Sequence, residues 1–280
     1  MKKQEQKSRL LKKEKIHQEP QSAGTNSWFS RFRWVFVTLF WLGLWQLAYW
    51  IIDQDILLAS PVQVTSRFLS LISQLVFWQI TLYSLSRIMA GFLLGLLAGS
   101  VLAVGTVFFR PVYALFYPVI SAIRATPVSS FIILALVWMT SNRVVIFIVF
   151  LMVMPIVWAN LSEGIKKTDP ELLEMAHIFR LSRGQIIRSV YLPSISPFFM
   201  SAAITSLGLG WKAGIAAEVL STPQFSLGRR LYESKIYLET IDLMTFTAVV
   251  ILLSLLLEQV LIKTLRRAEG SFRHKPGKSR

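Results

Sequence analysis

The chain has 280 residues, of which 54% are hydrophobic, and its mean hydropathy is +0.53, so it is far too apolar for an ordinary soluble domain. It contains no cysteine, which excludes disulfides, cysteine-ligated zinc and thiol catalysis. The formal net charge of +15 would suit nucleic acid or a membrane surface, and the position of the charges decides between them.

Six apolar runs follow one another along the sequence, and most are long enough to cross a bilayer, which takes about 20 residues of helix. They are 34–52, 88–109, 125–142, 144–162, 189–211 and 243–257. Backbone polar groups in lipid must be satisfied within the segment, so each run is predicted to be a helix. The predicted spans are 32–52, 80–109, 112–138, 143–162, a fifth from 193 past 214, and 241–263. A soluble protein with unusually apolar core helices is the alternative, and six such runs argue against it.

Basic residues flank the apolar runs. Nine of the 30 Lys and Arg precede Trp34, and seven more lie from Lys263 onwards. This is the pattern of the positive-inside rule, which predicts a multi-pass protein of the cytoplasmic membrane with both termini in the cytoplasm. We expect residues 1–30 to be a disordered basic tail, 31–265 to be the transmembrane domain, and 266–280 to be a second basic tail. The predicted contact is with the lipid bilayer, and not with nucleic acid.

Three glycines in the second span, Gly91, Gly95 and Gly99, are spaced four residues apart. Glycines at this spacing let another helix approach closely. The partner is either another helix of this chain, which we favour, or a second copy.

A polar, charged island at 163–193 separates the fourth and fifth spans. Asp169 and Pro170 are suited to the N-cap and first position of a short helix over 170–180. Ser182 and Gln185 fit a capping box that begins a second short helix. The first helix has an apolar face, formed by Leu172, Met175, Ala176 and Phe179. This face either packs on the protein's own helix ends or fills a groove on a partner.

The island resembles the loop through which bacterial ABC importer permeases dock onto their ATPase. That loop reads Glu-Ala-Ala, three residues, Gly, nine residues, then Ile-x-Leu-Pro. The corresponding segments here are Glu174-Met175-Ala176 and Val190-Tyr191-Leu192-Pro193, at the same spacing. Arg180 stands at the Gly position, where Gly supplies a sharp turn. We therefore expect either a longer continuous helix or a turn shifted to 182–184.

Other segments resemble the nitrate, sulfonate and taurine branch of these permeases, which also includes transporters of vitamin precursors. They are 58–61, 84–95, 123–127 and, late in the fifth span, Trp211 with 216–218. The resemblance implies six transmembrane helices per protomer, a pair of permease copies around a central path, docked ATPase subunits and an extracytoplasmic binding protein. No phosphate-cradling GxxxxGK[ST] sequence is present, so ATP and Mg²⁺ are expected on the partner, with no cofactor or metal on this chain.

Ionisable residues inside spans usually face a bundle interior or water. Arg124, Lys212 and Glu218, with Trp211 alongside, form the candidate path for an anion. The alternative is a structural ion pair between Glu218 and one of the cations. Arg87 is expected near an interface, where its side chain can extend towards water.

Two other classes of protein fit the sequence less well. An ion-coupled secondary transporter without an ATPase would need a cluster of carboxylates at the membrane midplane, and Glu218 is a single carboxylate. A membrane-embedded enzyme would need a catalytic constellation, and the three histidines are scattered over loops and tails. The sequence therefore predicts a permease subunit that is not itself an enzyme.

Overall fold

The computed structural model describes residues 27–273, with side chains from 35 to 267, and every regular element in that part is helical. In chain order the first elements are α1 (Ser27–Ile52), α2 (Pro61–Ile72), α3 (Leu75–Phe108), α4 (Arg110–Ala125), α5 (Val128–Trp138) and α6 (Ser141–Lys166). They are followed by α7 (Pro170–Ile178), α8 (Arg183–Ile186), a π-helical segment (Ile187–Tyr191), α9 (Leu192–Ser221), α10 (Leu227–Ile236) and α11 (Thr240–Arg273). The predicted all-α membrane fold is confirmed.

The described residues divide into two compact units, one that ends at residue 53 and one that begins at residue 54. In the first unit the structure describes α1, which is long and apolar enough to cross a membrane and whose side chains from 35 to 44 are all exposed. Most of the predicted tail at 1–30, up to residue 26, lies outside the described residues. The predicted tail at 266–280 lies outside them from residue 274 onwards. The predicted boundary at 266 falls inside α11.

The second unit is built around α6, whose side chains are largely buried. Gly91, Gly95 and Gly99 of α3 face α6 so closely that a Cβ atom on Gly95 would lie 2.7 Å from the Cβ of Val153. Gly210 and Gly214 of α9 approach the same part of α6, at Val149 and Val153. Glycines on both neighbours therefore let two helices approach α6 closely, which is why the core consists mainly of small and β-branched side chains. The glycines of α3 are used for packing within the chain.

The predicted third span at 112–138 is wrong as one continuous helix. The structure has two helices, α4 and α5, which meet at an angle of 109°. Thr126 has an extended backbone (φ −87°, ψ 133°), and the following Pro127 precedes α5. Proline disfavours helical backbone at the residue before it and lacks an N–H of its own, so the helix ends here. The described part thus holds five helices that can cross a membrane, or six spans if the bent pair counts as one.

One end of the second unit, which we call the cap end, carries α2, α10 and residues 222–226. Ser60 begins α2 with a capping box that it forms with Gln63. Arg67 of α2 donates two hydrogen bonds to Asp242 at the start of α11, at 2.5 and 2.8 Å. These bonds raise the pKa of the Arg67 guanidinium above its ordinary value.

The close helix contact at Gly95 can be tested by adding one methyl group. We expect Gly95→Ala to lower the free energy of unfolding by about 1–3 kcal/mol, because the added carbon overlaps Val153. Gly208→Ala on α9 is the matched control, since a Cβ there meets no atom within 4 Å and alanine favours the helix by about 0.5–1 kcal/mol. Thermal unfolding of both variants in detergent measures the difference, and equal stability would contradict the packing described.

Candidate functional site

Helix α7 forms the first half of the polar island, and its start follows the sequence closely. The Asp169 side chain accepts a hydrogen bond from the backbone N–H of Glu171 at 2.9 Å, and Pro170 takes the first turn, where its missing N–H costs nothing. The helix ends at Ile178 and not at 180. Ser182 and Gln185 form the predicted capping box, which begins α8.

The sharp turn after α7 lies at Arg180. This residue adopts a left-handed backbone with φ of 50°. The N–H of Arg180 bonds to the carbonyl of His177, and the N–H of Leu181 bonds to the carbonyl of Ala176, both at 3.0 Å. These two bonds define a Schellman motif, whose left-handed residue is usually glycine. The expectation of a longer helix or a turn shifted to 182–184 is therefore wrong: Arg180 takes the glycine conformation, at a cost in backbone strain.

The apolar face of α7 is only partly covered by the chain itself. Ala176 is buried, with 2% of its surface exposed. Leu172, Met175 and Phe179 are exposed by 39%, 49% and 71%. Neither predicted alternative describes the whole face, because one small side chain is buried within the protein while three large ones remain exposed. Glu174, on the same helix, is exposed as well.

Two further apolar side chains belong to this exposed surface, and sequence reasoning missed them. Ile178 is 78% exposed and Ile187 is 53% exposed. Ile178 lies outside the i, i+3, i+4, i+7 series, and Ile187 lies beyond the turn. The exposed apolar surface formed by Leu172, Met175, Ile178, Phe179 and Ile187 is called the loop face below.

The loop joins the membrane bundle without a flexible connection. The π-helical segment Ile187–Tyr191 runs directly into α9, and the N–H of Leu192 bonds back to the carbonyl of Ile187. Val190 is buried, whereas Leu192 and Pro193 are exposed. Such wide turns often occur inside helices at functional positions. The helical backbone is therefore continuous from the loop into α9.

The four candidate pathway residues do not come together. The Trp211 indole is buried and donates to the carbonyl of Val250 at 3.2 Å, and Glu218 is fully buried. These two side chains therefore do not line an open path in this structure. Arg124 at the α4–α5 bend and Lys212 on α9 are exposed and form no ion pair or hydrogen bond of their side chains with other described residues. Within residues 27–273, no three His, Asp or Glu side chains are grouped to hold a metal ion.

Glu218 forms a buried ion pair whose partner is Arg87, and not Lys212 or Arg124. The Arg87 Nη2 and Nε atoms donate to Glu218 Oε1 at 3.0 and 3.2 Å, and Ser84 Oγ donates to Oε2 at 2.8 Å. Arg87 is 8% exposed, so the expectation that it reaches towards water at an interface is wrong. The ion pair joins α3 to α9 through residues 131 positions apart, which no local pattern in the sequence could reveal.

The same network fixes the connection between α9 and α10. Arg87 Nη2 donates to the carbonyl of Phe225 at 2.8 Å, and the N–H of Gly228 donates to Glu218 at 3.1 Å. Thr222 and Phe225 in this connection have left-handed backbones, with φ of 43° and 48°. Left-handed backbone is costly for such side chains and persists only where the surroundings hold it. The ion pair therefore determines the shape of the cap end.

Replacing Arg180 by glycine tests the strained turn. Glycine adopts a positive φ without the steric cost, so Arg180→Gly should stabilise the α7 turn by about 1 kcal/mol. Hydrogen exchange at the Leu181 amide, which closes the motif, should slow by about fivefold. Arg183→Gly is the control, because Arg183 lies in ordinary helix and glycine weakens helices. Faster exchange in Arg180→Gly would contradict the turn.

Replacing Glu218 by glutamine tests the buried ion pair. Glu218→Gln leaves the Arg87 charge buried without compensation, and we expect a loss of about 3–5 kcal/mol in the free energy of unfolding. Glu233→Gln removes a more exposed carboxylate that pairs with Arg229 and should cost less than about 1 kcal/mol. Thermal unfolding in detergent compares the two variants. A loss in Glu218→Gln no larger than in the control would show that the pair is not structural.

Comparison with characterised proteins gives relatives that are all transport proteins. The chain is 25% identical over 159 residues to a bicarbonate transport system permease of Synechococcus elongatus, covering 56% of this chain and 57% of that protein. It is 26% identical over 191 residues to a nitrate import permease of Leptolyngbya laminosa, covering 64% and 67%. It is 24% identical over 220 residues to the taurine transport system permease of Escherichia coli, covering 76% and 80%. The chain thus spans little more than half the length of the bicarbonate permease.

Solved structures share the fold. An amino acid ABC transporter crystallised with histidines superimposes with a TM-score of 0.59 at 18% identity, over 71% of this chain and 98% of that one. A methionine ABC transporter in an inward-facing conformation gives a TM-score of 0.53 at 17% identity, over 68% and 93%. Residues 91–265, well over half of the chain, match the family described as the binding-protein-dependent transport system inner membrane component. The chain belongs to that family.

Proposed function

We propose that this chain is the membrane-spanning subunit of an ATP-driven importer and that its loop face docks onto a separate ATPase subunit. The observation that carries the proposal is the loop face itself, a set of large apolar side chains that the described residues leave exposed. An amphipathic helix whose apolar face lies in a groove of a partner is a common mode of protein recognition.

The charges of α7 favour a protein partner over a lipid surface. Helices that lie on membranes carry Lys and Arg on the polar face, which attract anionic lipids. Here α7 begins at Asp169 and carries Glu171 and Glu174, all exposed and all acidic. The loop face on this helix is therefore better suited to a protein groove. By resemblance, Glu174 makes polar contacts near the nucleotide-sensing loops of the ATPase.

Coupling then follows from the connection of the loop to the bundle. ATP binding would draw two ATPase subunits together, and each would carry its docked loop with it. Because the π-helical segment joins the loop to α9 without a break, movement of the loop tilts α9 against α6. The pore changes between two arrangements, and the ATPase favours one of them by binding it more tightly. This chain hydrolyses nothing and binds no cofactor; ATP and Mg²⁺ belong to the ATPase.

The remaining partners follow from the same assembly. We infer a second permease copy, because the α4–α5 bend exposes Arg124, Ser129 and Ser130, which a surface against lipid would not carry. An extracytoplasmic binding protein would deliver solute to the cap end. The positive-inside pattern supports a bacterial cytoplasmic membrane, with both termini in the cytoplasm and the cap end outside.

The solute is proposed to be a small anion, such as nitrate, a sulfonate or taurine. The names of relatives give bicarbonate, nitrate and taurine as their substrates. A vitamin or vitamin precursor is the second candidate, because a riboflavin permease of Chloroflexus aurantiacus is 27% identical over 217 residues. The rival function, an ion-coupled secondary transporter, would use an intramembrane carboxylate, and the Arg87 ion pair leaves Glu218 unavailable for that role.

The docking proposal is tested by placing charges on the loop face. We expect Met175→Asp combined with Phe179→Asp to abolish co-purification of an ATPase with the tagged protein from its native cells, because charges would be buried in the groove. Gly184→Asp is the control: it adds a charge at an exposed loop position where a side chain meets no atom within 4 Å. Mass spectrometry of the purified material should find an ATPase in about equal amount with the wild type and the control. Transport by a chain that purifies alone would contradict the proposal.

A further inference from the structure

One face of α9 is exposed, and its composition is unusual for a helix that crosses a membrane. Ser201, Thr205, Gly208, Lys212 and Ala216 follow one another at intervals of three or four residues, so they lie along one side of the helix. We call this row the α9 stripe. Leu209 and Leu220 are the large apolar side chains exposed beside it.

The outward faces of the neighbouring long helices are quite different. Between residues 91 and 105 of α3 the exposed side chains are Leu93, Leu94, Leu97, Val101 and Val104. Between residues 248 and 257 of α11 they are Ile251, Leu252, Leu255 and Leu256, and the exposed Glu258 and Gln259 follow closer to its C-terminal end. Such surfaces suit hydrocarbon. A row of hydroxyls, small residues and an ammonium group does not, because a charge in lipid is costly. The α9 stripe is therefore expected to face water or another polar surface.

Lys212 cannot easily avoid the membrane interior by extending its side chain. The helix continues for nine residues beyond it to Ser221, which is about 14 Å at the rise of an α-helix. No carboxylate among the described residues pairs with it, although Glu218 lies less than two turns further along the same helix. Its charge therefore has no partner within the part of the chain that the structure describes.

Gly208 lies one turn before Lys212 and leaves space beside it. A Cβ atom built on Gly208 meets nothing within 4 Å, whereas Gly210 and Gly214 of the same helix are in close contact with α6. Glycine weakens a helix interior, and Gly208 has no packing contact among the described residues that would account for it. We therefore infer that something outside this chain approaches the helix at Gly208. The backbone at Gly208 is therefore open to such a partner one turn away from Lys212.

We propose that the α9 stripe lines the solute path and that Lys212, with the space at Gly208, is the site where a small anion such as a sulfonate or nitrate binds during passage. This inference rests on the proposed function, since it requires that the chain carry a solute. If two copies pair about a twofold axis with these faces inward, each Lys212 meets its counterpart across the path. Two ammonium groups in a narrow path repel each other, and an anion between them relieves that repulsion.

The absence of cysteine makes a direct test possible, because an introduced cysteine is the only thiol among the 280 residues of this sequence. Gly208→Cys in the full chain is labelled with two methanethiosulfonate reagents, the negatively charged sulfonatoethyl and the positively charged trimethylammonioethyl compounds. Intact cells and inside-out vesicles are both used, so that either side of the membrane is sampled. Leu97→Cys, on the exposed apolar face of α3, is the lipid-facing control.

We expect Gly208→Cys to react and Leu97→Cys not to react. Relative to free cysteine, the sulfonate reagent should be favoured at Gly208→Cys by at least about tenfold, because a cationic path concentrates anions. Adding Lys212→Met should remove that preference, and adding Lys212→Arg should keep it. No reaction at Gly208→Cys would overturn the path, and a preference unaffected by Lys212→Met would overturn the anion site. The labelling requires no ATPase, so failure of the docking proposal would appear separately, in the purification experiment.

Discussion

The close contact of α6 with α3 and α9 is the constraint on which the rest of this structure depends. Glycines on both neighbours place the backbones so near to α6 that a single methyl group at Gly95 or Gly214 would overlap a side chain. Helices in lipid gain no hydrophobic driving force from associating, so this close packing must hold them together. Since α9 runs from the loop to the cap end, the three packed helices connect these two ends of the second unit.

The two ends are fixed in different ways. At the cap end, the Arg87–Glu218 ion pair joins α3 to α9 and holds a connection whose backbone is strained at Thr222 and Phe225. At the other end, the loop continues into α9 through the helical segment Ile187–Tyr191. On the proposed function, the ion pair keeps the cap end in one shape while the exposed loop face remains free to bind a partner. A loop buried against its own bundle would leave no apolar surface for that partner to contact.

Much of this could be predicted from the sequence, because local patterns determine it. Apolar runs predicted the long helices, and Asp169, Ser182 and Gln185 predicted how the loop helices begin. What could not be predicted depends on distant contacts or on backbone geometry. Arg87 and Glu218 are distant in the sequence and pair only in the folded structure. The chain bends at Thr126-Pro127, although the composition of 112–138 predicted a continuous helix. Arg180 adopts a left-handed backbone that its side chain disfavours. Ile178 lies outside the apolar series of α7 and Ile187 lies beyond the turn at Arg180, so their exposure could not be predicted either.

The central claim is that the loop face is covered by an ATPase in the working protein. It is tested most directly by placing a photo-crosslinking benzoylphenylalanine at position 179, where Phe179 is 71% exposed, and irradiating intact native cells. Mass spectrometry then identifies what is joined to the chain. The account predicts one main product with an ATPase subunit, and much less of it from the same probe at Leu97, which faces lipid. Crosslinks at position 179 only to lipid, or only to this chain's own helices, would contradict it.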